Sequence, residues 1–207
     1  MMGTVEFLPS THTYVVDNIV VPSVSDILRY IFPDQFKGIP RSVLQAKAGY
    51  GTLLHKAIEC HETGELLPPM NYIAEAGFNQ YLKLREKHIL RIKALEQIVS
   101  YKGLYAGRFD MYAIRKNYPL YNPPALIDIK TSAKLDKDYL SWQLSYYALA
   151  FDDKDEDSNS VDELFCIWLP KKELGKFVQI KRKSDDELLS TLEDFLEVWR
   201  SKHEIPF

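Results

Sequence analysis

Apolar positions along the chain fall into short alternating runs and longer runs of helical period, and the two kinds are interleaved. Residues 5 to 21 alternate loosely about a turn at Val16-Asp17-Asn18, which predicts a small hairpin closed by Pro22 and Ser23. Ser23 or Ser25 then caps a helix through Asp26 to Phe32, with an acid near its start and Pro33 as its stop. From Ala46 to Glu59 the spacing of Leu54, Ala57 and Ile58 predicts a second helix. Residues 71 to 90 predict a third, amphipathic through Ile73, Phe78, Tyr81 and Leu82. Ile92 to Tyr101 reads as a strand, Lys102-Gly103 as a turn, and the next apolar strand ends at Asp110. A turn-rich segment from Asn117-Tyr118-Pro119 to Asn122-Pro123-Pro124 leads into a strand at Leu126 to Lys130, so these two strands form a hairpin with a long loop. A helix over Tyr139 to Phe151, strands at Glu163 to Leu169 and Phe177 to Lys181, and a helix from Ser184 to His203 complete the chain.

This order predicts an α/β fold, a central mixed β-sheet flanked by helices with an N-terminal β-hairpin and helix. At 207 residues, 46% of them apolar, the chain suits one domain, and no repeat or linker divides it. Residues 1–45 form the N-terminal hairpin and helix of that domain and 46–207 its core. The formal charge of -3 advertises no polyanionic partner, though it leaves room for basic groups clustered locally. Cys60 and Cys166 are far apart, without the spacing of a disulfide framework, a zinc site or an iron–sulfur cluster, which fits a reducing compartment. No secretory start and no run of bilayer length is present, so the expectation is a soluble, cytoplasmic protein without membrane contact.

The chemistry concentrates in Leu126-Ile127-Asp128-Ile129-Lys130-Thr131-Ser132. Side chains alternate along a strand, so Asp128 and Lys130 share one face while Ile127 and Ile129 point into a core. An ordinary salt-bridged strand fits that pattern as well as a site does. Asp110, on the partner strand, can converge on Asp128. Two carboxylates and a lysine suit a hard divalent cation that activates water toward a phosphodiester.

Other residues join as candidates. Gly51, His55 and Glu59 recur every fourth position and share a helix face, where His55 can reach a metal or phosphate. Glu96 is either a third carboxylate at the site or a solvent-facing strand residue. Gln143 and Tyr147 share a face of their helix and either meet the strand ends or belong to the core. Lys83, Arg85, Lys87 and His88 read as a solvated face or a dipole-complementing helix end, with DNA contact as the alternative. The acidic run from Asp152 to Asp157 reads as a solvated loop, because Ser158 and Leu164 stand where a calcium loop needs Gly and Glu.

Taken together, Pro22 to Leu28, Gly51 to His55, Ala94-Leu95-Glu96, Gly107-Arg108-Phe109-Asp110, Asp128-Ile129-Lys130-Thr131-Ser132 and Gln143 to Tyr147 resemble the PD-(D/E)XK nuclease superfamily. The resemblance is to its RecB-like and phage-exonuclease branch, among whose members mitochondrial genome maintenance exonucleases and compact phage exonucleases are most similar. It spans nearly the whole chain and rests on the ordered set of motifs. It implies a restriction-endonuclease-like core, with Asp110, Asp128 and the Ile129 carbonyl binding Mg2+ or Mn2+, and His55 and Glu96 joining them. Lys130 would act on the attacking water, with Gln143 and Tyr147 supporting the lysine and the DNA. The proline that names the superfamily is replaced by Phe109, as is usual in this branch, and its iron–sulfur members are excluded for want of cysteines.

The expectation that follows is a metal-dependent DNA exonuclease acting on single-stranded or end-processed DNA in recombination, repair or replication. Phage or bacterial origin would place it in the host or bacterial cytoplasm. A structure-selective endonuclease would share every catalytic residue, and a non-catalytic nuclease-fold DNA-binding or assembly protein is the alternative from another class. DNA contacts would come from Arg108, from Lys134 and Lys137, and from Lys171, Lys172 and Lys176. Tyr50, Tyr105 and Tyr112 are either base-stacking or core residues. A single-strand annealing protein as partner, and a homo-oligomer, follow by analogy alone.

Overall fold

The computed structural model describes residues 4–35, 37, 41–116, 122–154, 161 and 163–203. The N-terminal segment forms an antiparallel sheet of three strands, β1 (Val5–Leu8), β2 (Thr13–Val16) and β3 (Ile19–Val21), one more than the predicted hairpin. Asp17 and Asn18 both take positive φ, 50° and 66°, which is the turn whose twist matches paired strands. β1 is recruited at the same turn, where the Thr4 N–H donates to Asp17 Oδ1 at 3.0 Å, and by Phe7 packing on Tyr14. The sheet is tied to the rest of the chain by the Ala106 N–H donating to the Pro22 carbonyl at 3.0 Å.

Ser23 is the cap of α1 (Val24–Ile31). Its Oγ accepts the Asp26 N–H at 3.1 Å while the Asp26 carboxylate accepts the Ser23 N–H at 2.9 Å, a reciprocal capping box. α2 (Arg41–Thr63) starts earlier than its apolar spacing predicts, so the division at 45/46 falls inside one helix. α3 (Tyr72–His88) is capped by the Asn71 side chain on the Ala74 N–H at 3.0 Å. In its basic last turn, Arg85 faces inward and pairs with Glu62 of α2 at 3.1 Å.

The main sheet has the order β4-β5-β6-β7-β8, with β4 (Ile89–Tyr101), β5 (Tyr105–Arg115), β6 (Pro124–Lys130), β7 (Glu163–Trp168) and β8 (Lys176–Ile180). Only β6 and β7 are parallel, so the sheet is mixed, and α4 (Lys137–Lys154) makes the crossover that a parallel pair requires. α5 (Asp185–His203) follows β8, with the Ser184 hydroxyl accepting the Glu187 N–H. Alternate residues of β6 divide between two cores. Leu126 packs with residues of α1, α4 and α5, whereas Ile127 and Ile129 pack with Leu54, Ile58 and Phe78 of α2 and α3. Helices therefore cover both faces, and each fully buried Leu or Ile of this strand contributes about 1.5–3 kcal/mol.

Asp110 does not end its strand; β5 continues to Arg115. Phe109 and Tyr112 nevertheless both pack on Phe151 of α4, with ring centroids 5.8 and 4.5 Å away. An odd spacing on one face means that the alternation resets between them, at Asp110 and Met111. On the paired strand the register Leu95↔Met111 and Gln97↔Phe109 sets Glu96 opposite Asp110, and Glu96 has a φ of 48°. No helix among the described residues is long and apolar enough to cross a membrane.

Candidate active site

β5 and β6 are paired from Met111↔Ile127 to Ile114↔Pro124 and part at Asp110. There the Asp110 Oδ2 accepts the Ile129 N–H at 2.7 Å, taking the place of a ladder carbonyl, so the carboxylate sits in the fork between the strands. Asp128 and Lys130 lie on the α4 side of β6, as the alternation predicts. Asp128 is 3% exposed, its Oδ1 accepts from the Lys130 Nζ at 2.8 Å, and its Oδ2 is buried without a hydrogen-bond partner among the described residues. Burial pushes the Asp128 carboxyl up to about 6, with Lys130 opposing the shift and Asp110 adding to it. Burial also disfavours the Lys130 ammonium, but Asp128 and Asp110 outweigh it and hold the amine above its usual range.

His55 reaches the fork from α2. Its Nε2 lies 3.0 Å from the Ile129 carbonyl and its Nδ1 3.8 Å from Asp110 Oδ2. A carbonyl only accepts, so Nε2 carries the proton that it donates there, and Nδ1 faces the carboxylate. His55, Glu96 and Asp110 bring one ligand atom each within 4.8 Å of one another. Glu96 is raised by burial and by Asp110 opposite it, while Arg108 pairs with it at 3.0 Å. The Arg108 guanidinium in turn lies over the Phe7 ring at 5.5 Å, so the N-terminal sheet supports this edge of the site.

Two close approaches position these side chains. A Cβ on Gly51 would lie 2.9 Å from Thr131 Oγ1, so the absence of a side chain lets α2 lie against the end of β6, one turn before His55. A Cβ on Gly107 would lie 2.6 Å from the Tyr147 ring, so that glycine seats Tyr147 under β5. Burial raises the Tyr147 phenol, on which Asp128 and Asp110 also act, and Gln143 stands beside it with a buried, unpartnered Oε1.

Two cavities meet at His55. One, about 490 Å³, is lined by Thr52, His55, Lys56, Glu96, Arg108 and Asp110. The other, about 570 Å³, runs past Ile129, Lys130 and Ala133 to Pro170, Lys171 and Lys172. Arg108, Lys171 and Lys172 thus flank the fork, while Lys134 is exposed beyond it and lines neither cavity. Another cavity, about 1230 Å³ and including Lys137, shares no residue with the site, and its Arg182 and Lys183 are paired with Asp152 and Glu187.

Three sequence readings are decided for the core. Tyr105 is fully buried and donates to the Tyr146 carbonyl at 2.8 Å, Tyr112 packs on Phe151, and Tyr50 donates to the Leu169 carbonyl at 3.4 Å. Residues 117–121 of the β5–β6 loop, and 155–160, which include the end of the acidic run, lie outside the described residues. Sequence reasoning missed Trp168, whose indole N–H donates to the Ser132 carbonyl at 2.7 Å and holds the segment after Lys130.

No protein-family model matches the chain, and no curated protein matches its sequence. Among solved structures, one described as the crystal structure of SSO0001 is similar over 87% of this chain and 77% of its own, at 16% identity and a TM-score of 0.45. A likeness of that degree carries no argument about function.

Proposed function

We propose that the chain is a metal-dependent deoxyribonuclease with a restriction-endonuclease-like core, and that it acts as an exonuclease on single-stranded or end-processed DNA. The observation that carries the proposal is the pair of carboxylates at the β5–β6 fork, Asp110 and Asp128, with Lys130 2.8 Å from the second and an Asp128 oxygen buried without a partner. A buried, unpartnered carboxylate oxygen is destabilising unless a cation compensates it. The surrounding donors, carboxylates, a backbone carbonyl and an imidazole, suit Mg2+ or Mn2+.

Asp110 and Asp128 would hold the ion, with Glu96, His55 and the Ile129 carbonyl within reach of the same place. Bound there, it would make water a nucleophile near neutral pH and offset charge on the scissile phosphate. Lys130 remains cationic, so it orients the attacking water and opposes developing charge without itself accepting a proton. Arg108 on one side and Lys171 and Lys172 on the other are placed to take the flanking phosphates, which predicts a steep loss of binding with salt. Gln143 and Tyr147, which lie beside one another on α4 with the two carboxylates acting on the Tyr147 phenol, would support the lysine and the DNA.

The test is digestion of end-labelled linear single- and double-stranded DNA beside a closed circle, with Mg2+ or Mn2+ and with Lys130→Ala as control. Loss of linear DNA alone, abolished in the variant, supports the exonuclease. Nicking of the circle moves the assignment to a structure-selective endonuclease. DNA binding without cleavage under any metal moves it to a non-catalytic DNA-binding protein.

A further inference from the structure

The second cavity has a chemistry that phosphate binding alone does not explain. Ile129, Ala133 and Pro170 are the apolar residues of its lining, which Thr131, Ser132 and the lysines Lys130, Lys171 and Lys172 share. It opens at His55, beside the candidate metal ligands, and its volume of about 570 Å³ lies in the range of pockets that enclose a small organic ligand. A lining that joins apolar residues to three lysines and two hydroxyls fits a flat apolar body that carries negative charge at one end, which is the outline of a nucleotide.

The walls are also fixed in place. The Leu169 N–H donates to the Lys130 carbonyl at 2.7 Å, and the Trp168 indole N–H donates to the Ser132 carbonyl at 2.7 Å. These bonds join the end of β6 and the segment after it to the end of β7. Tyr50 lies under the Lys171 ammonium at 4.9 Å. Glu173, the one acid on the lining, is drawn toward Lys176, 4.0 Å away.

Resting on the nuclease reading above, we infer that this cavity receives the base of the terminal nucleotide while its phosphate lies at the β5–β6 fork. A base held between protein walls has left its partner strand, so the site takes unpaired ends, and a duplex end must fray first. Strand selection is then built into the β6 and β7 termini, and it shares His55, Ile129 and Lys130 with the cleavage chemistry.

The experiment uses the full chain with Mn2+ and four substrates: bis(4-nitrophenyl) phosphate, an end-labelled single strand, the same strand with an abasic unit at either terminus, and a blunt duplex. Loss of base contact is expected to slow removal of the terminal unit roughly tenfold or more, on the scale of one base-stacking interaction. Ala133→Trp, a change at an exposed position that fills the cavity, should lower the ratio of strand cleavage to ester hydrolysis and erase the difference between intact and abasic ends. Thermal melting checks that this variant is folded, and the abasic comparison on the parent stands without it. A parent that removes intact and abasic termini equally fast, at both ends, overturns the pocket and leaves the nuclease standing. Hydrolysis of the small ester without cleavage of any strand does the same to the pocket. A parent that hydrolyses neither ester nor DNA overturns the nuclease reading, and the pocket with it.

Discussion

The Asp110 carboxylate accepts the backbone N–H of Ile129 at 2.7 Å, across the point where β5 and β6 part. One oxygen thereby closes the sheet ladder at the place where the candidate chemistry begins. Ile129 lies between Asp128 and Lys130, so the same bond fixes the peptide that carries both. In this fork the fold and the site share a residue, and the two roles can be separated by substitution.

Asp110→Asn keeps an oxygen for the Ile129 N–H, whereas Asp110→Ala leaves that buried donor without a partner. Both variants lose the charge, and both should slow DNA cleavage by roughly a hundredfold or more. Only the alanine should lower stability, by about 1–3 kcal/mol relative to the asparagine. Urea unfolding of the two proteins measures the difference. Equal midpoints would mean that the bond to Ile129 does not support the fork.

Asp128-Ile129-Lys130 was legible because a period-two alternation assigns each side chain to a face from its position alone, and β6 obeys it. Asp110 was recognisable as a candidate but was misplaced at a strand end. Arg108-Phe109-Asp110-Met111-Tyr112 breaks the alternation, and a break in period reads as the end of a strand when it is in fact a reset within one. Glu96 was named without its backbone, since no glycine or asparagine signalled the positive φ there. The approach of Gly51 to Thr131 joins residues eighty positions apart and leaves no periodic trace.

The metal-free protein should show a particular pH dependence at Asp128. Burial raises its folded pKa to about 6, above the unfolded value of roughly 3.9. The folded state then holds this proton more tightly, so the group's contribution to stability is greatest below the unfolded pKa and falls as pH rises through about 6. A divalent ion competes with the same proton. Mn2+ should therefore raise the Tm little near about pH 5 and more near about pH 7.5, and Asp128→Asn should remove most of that dependence. Differential scanning fluorimetry at the two pH values decides it, and an equal Mn2+ shift at both would count against Asp128 as a ligand.

Gly51→Ala places a methyl group 2.9 Å from Thr131 Oγ1, so either that hydroxyl turns away or α2 shifts from the segment after β6. His55 lies one turn further along α2, so the expected result is a folded protein whose turnover falls roughly tenfold or more. Gly49→Ala is the control, because a Cβ there meets nothing within 4 Å, and it should stabilise the helix by about 0.5–1 kcal/mol. Thr131→Ala removes the opposing hydroxyl and should restore much of the lost turnover in the double variant. Turnover in Gly51→Ala equal to the parent would show that α2 is not held by this contact.

Glu96 stands opposite Asp110, raised by burial and by that neighbouring carboxylate, on a backbone whose φ of 48° suits glycine. Like charges directly across a sheet and a left-handed strand residue both oppose folding, and both are explained if the carboxylate is needed where it is. Two substitutions separate the causes. Glu96→Ala removes the carboxylate and its pairing with Arg108 but keeps the backbone penalty, while Glu96→Gly removes both. The glycine variant should exceed the alanine variant in stability by about 1 kcal/mol, against the usual order in a strand. Both should bind Mn2+ more weakly than the parent, read by calorimetric titration. If the glycine variant is the less stable of the two, the strain assigned to Glu96 is absent; if both bind Mn2+ as the parent does, Glu96 is a structural partner of Arg108 and the ion is held by Asp110, Asp128 and His55 without it.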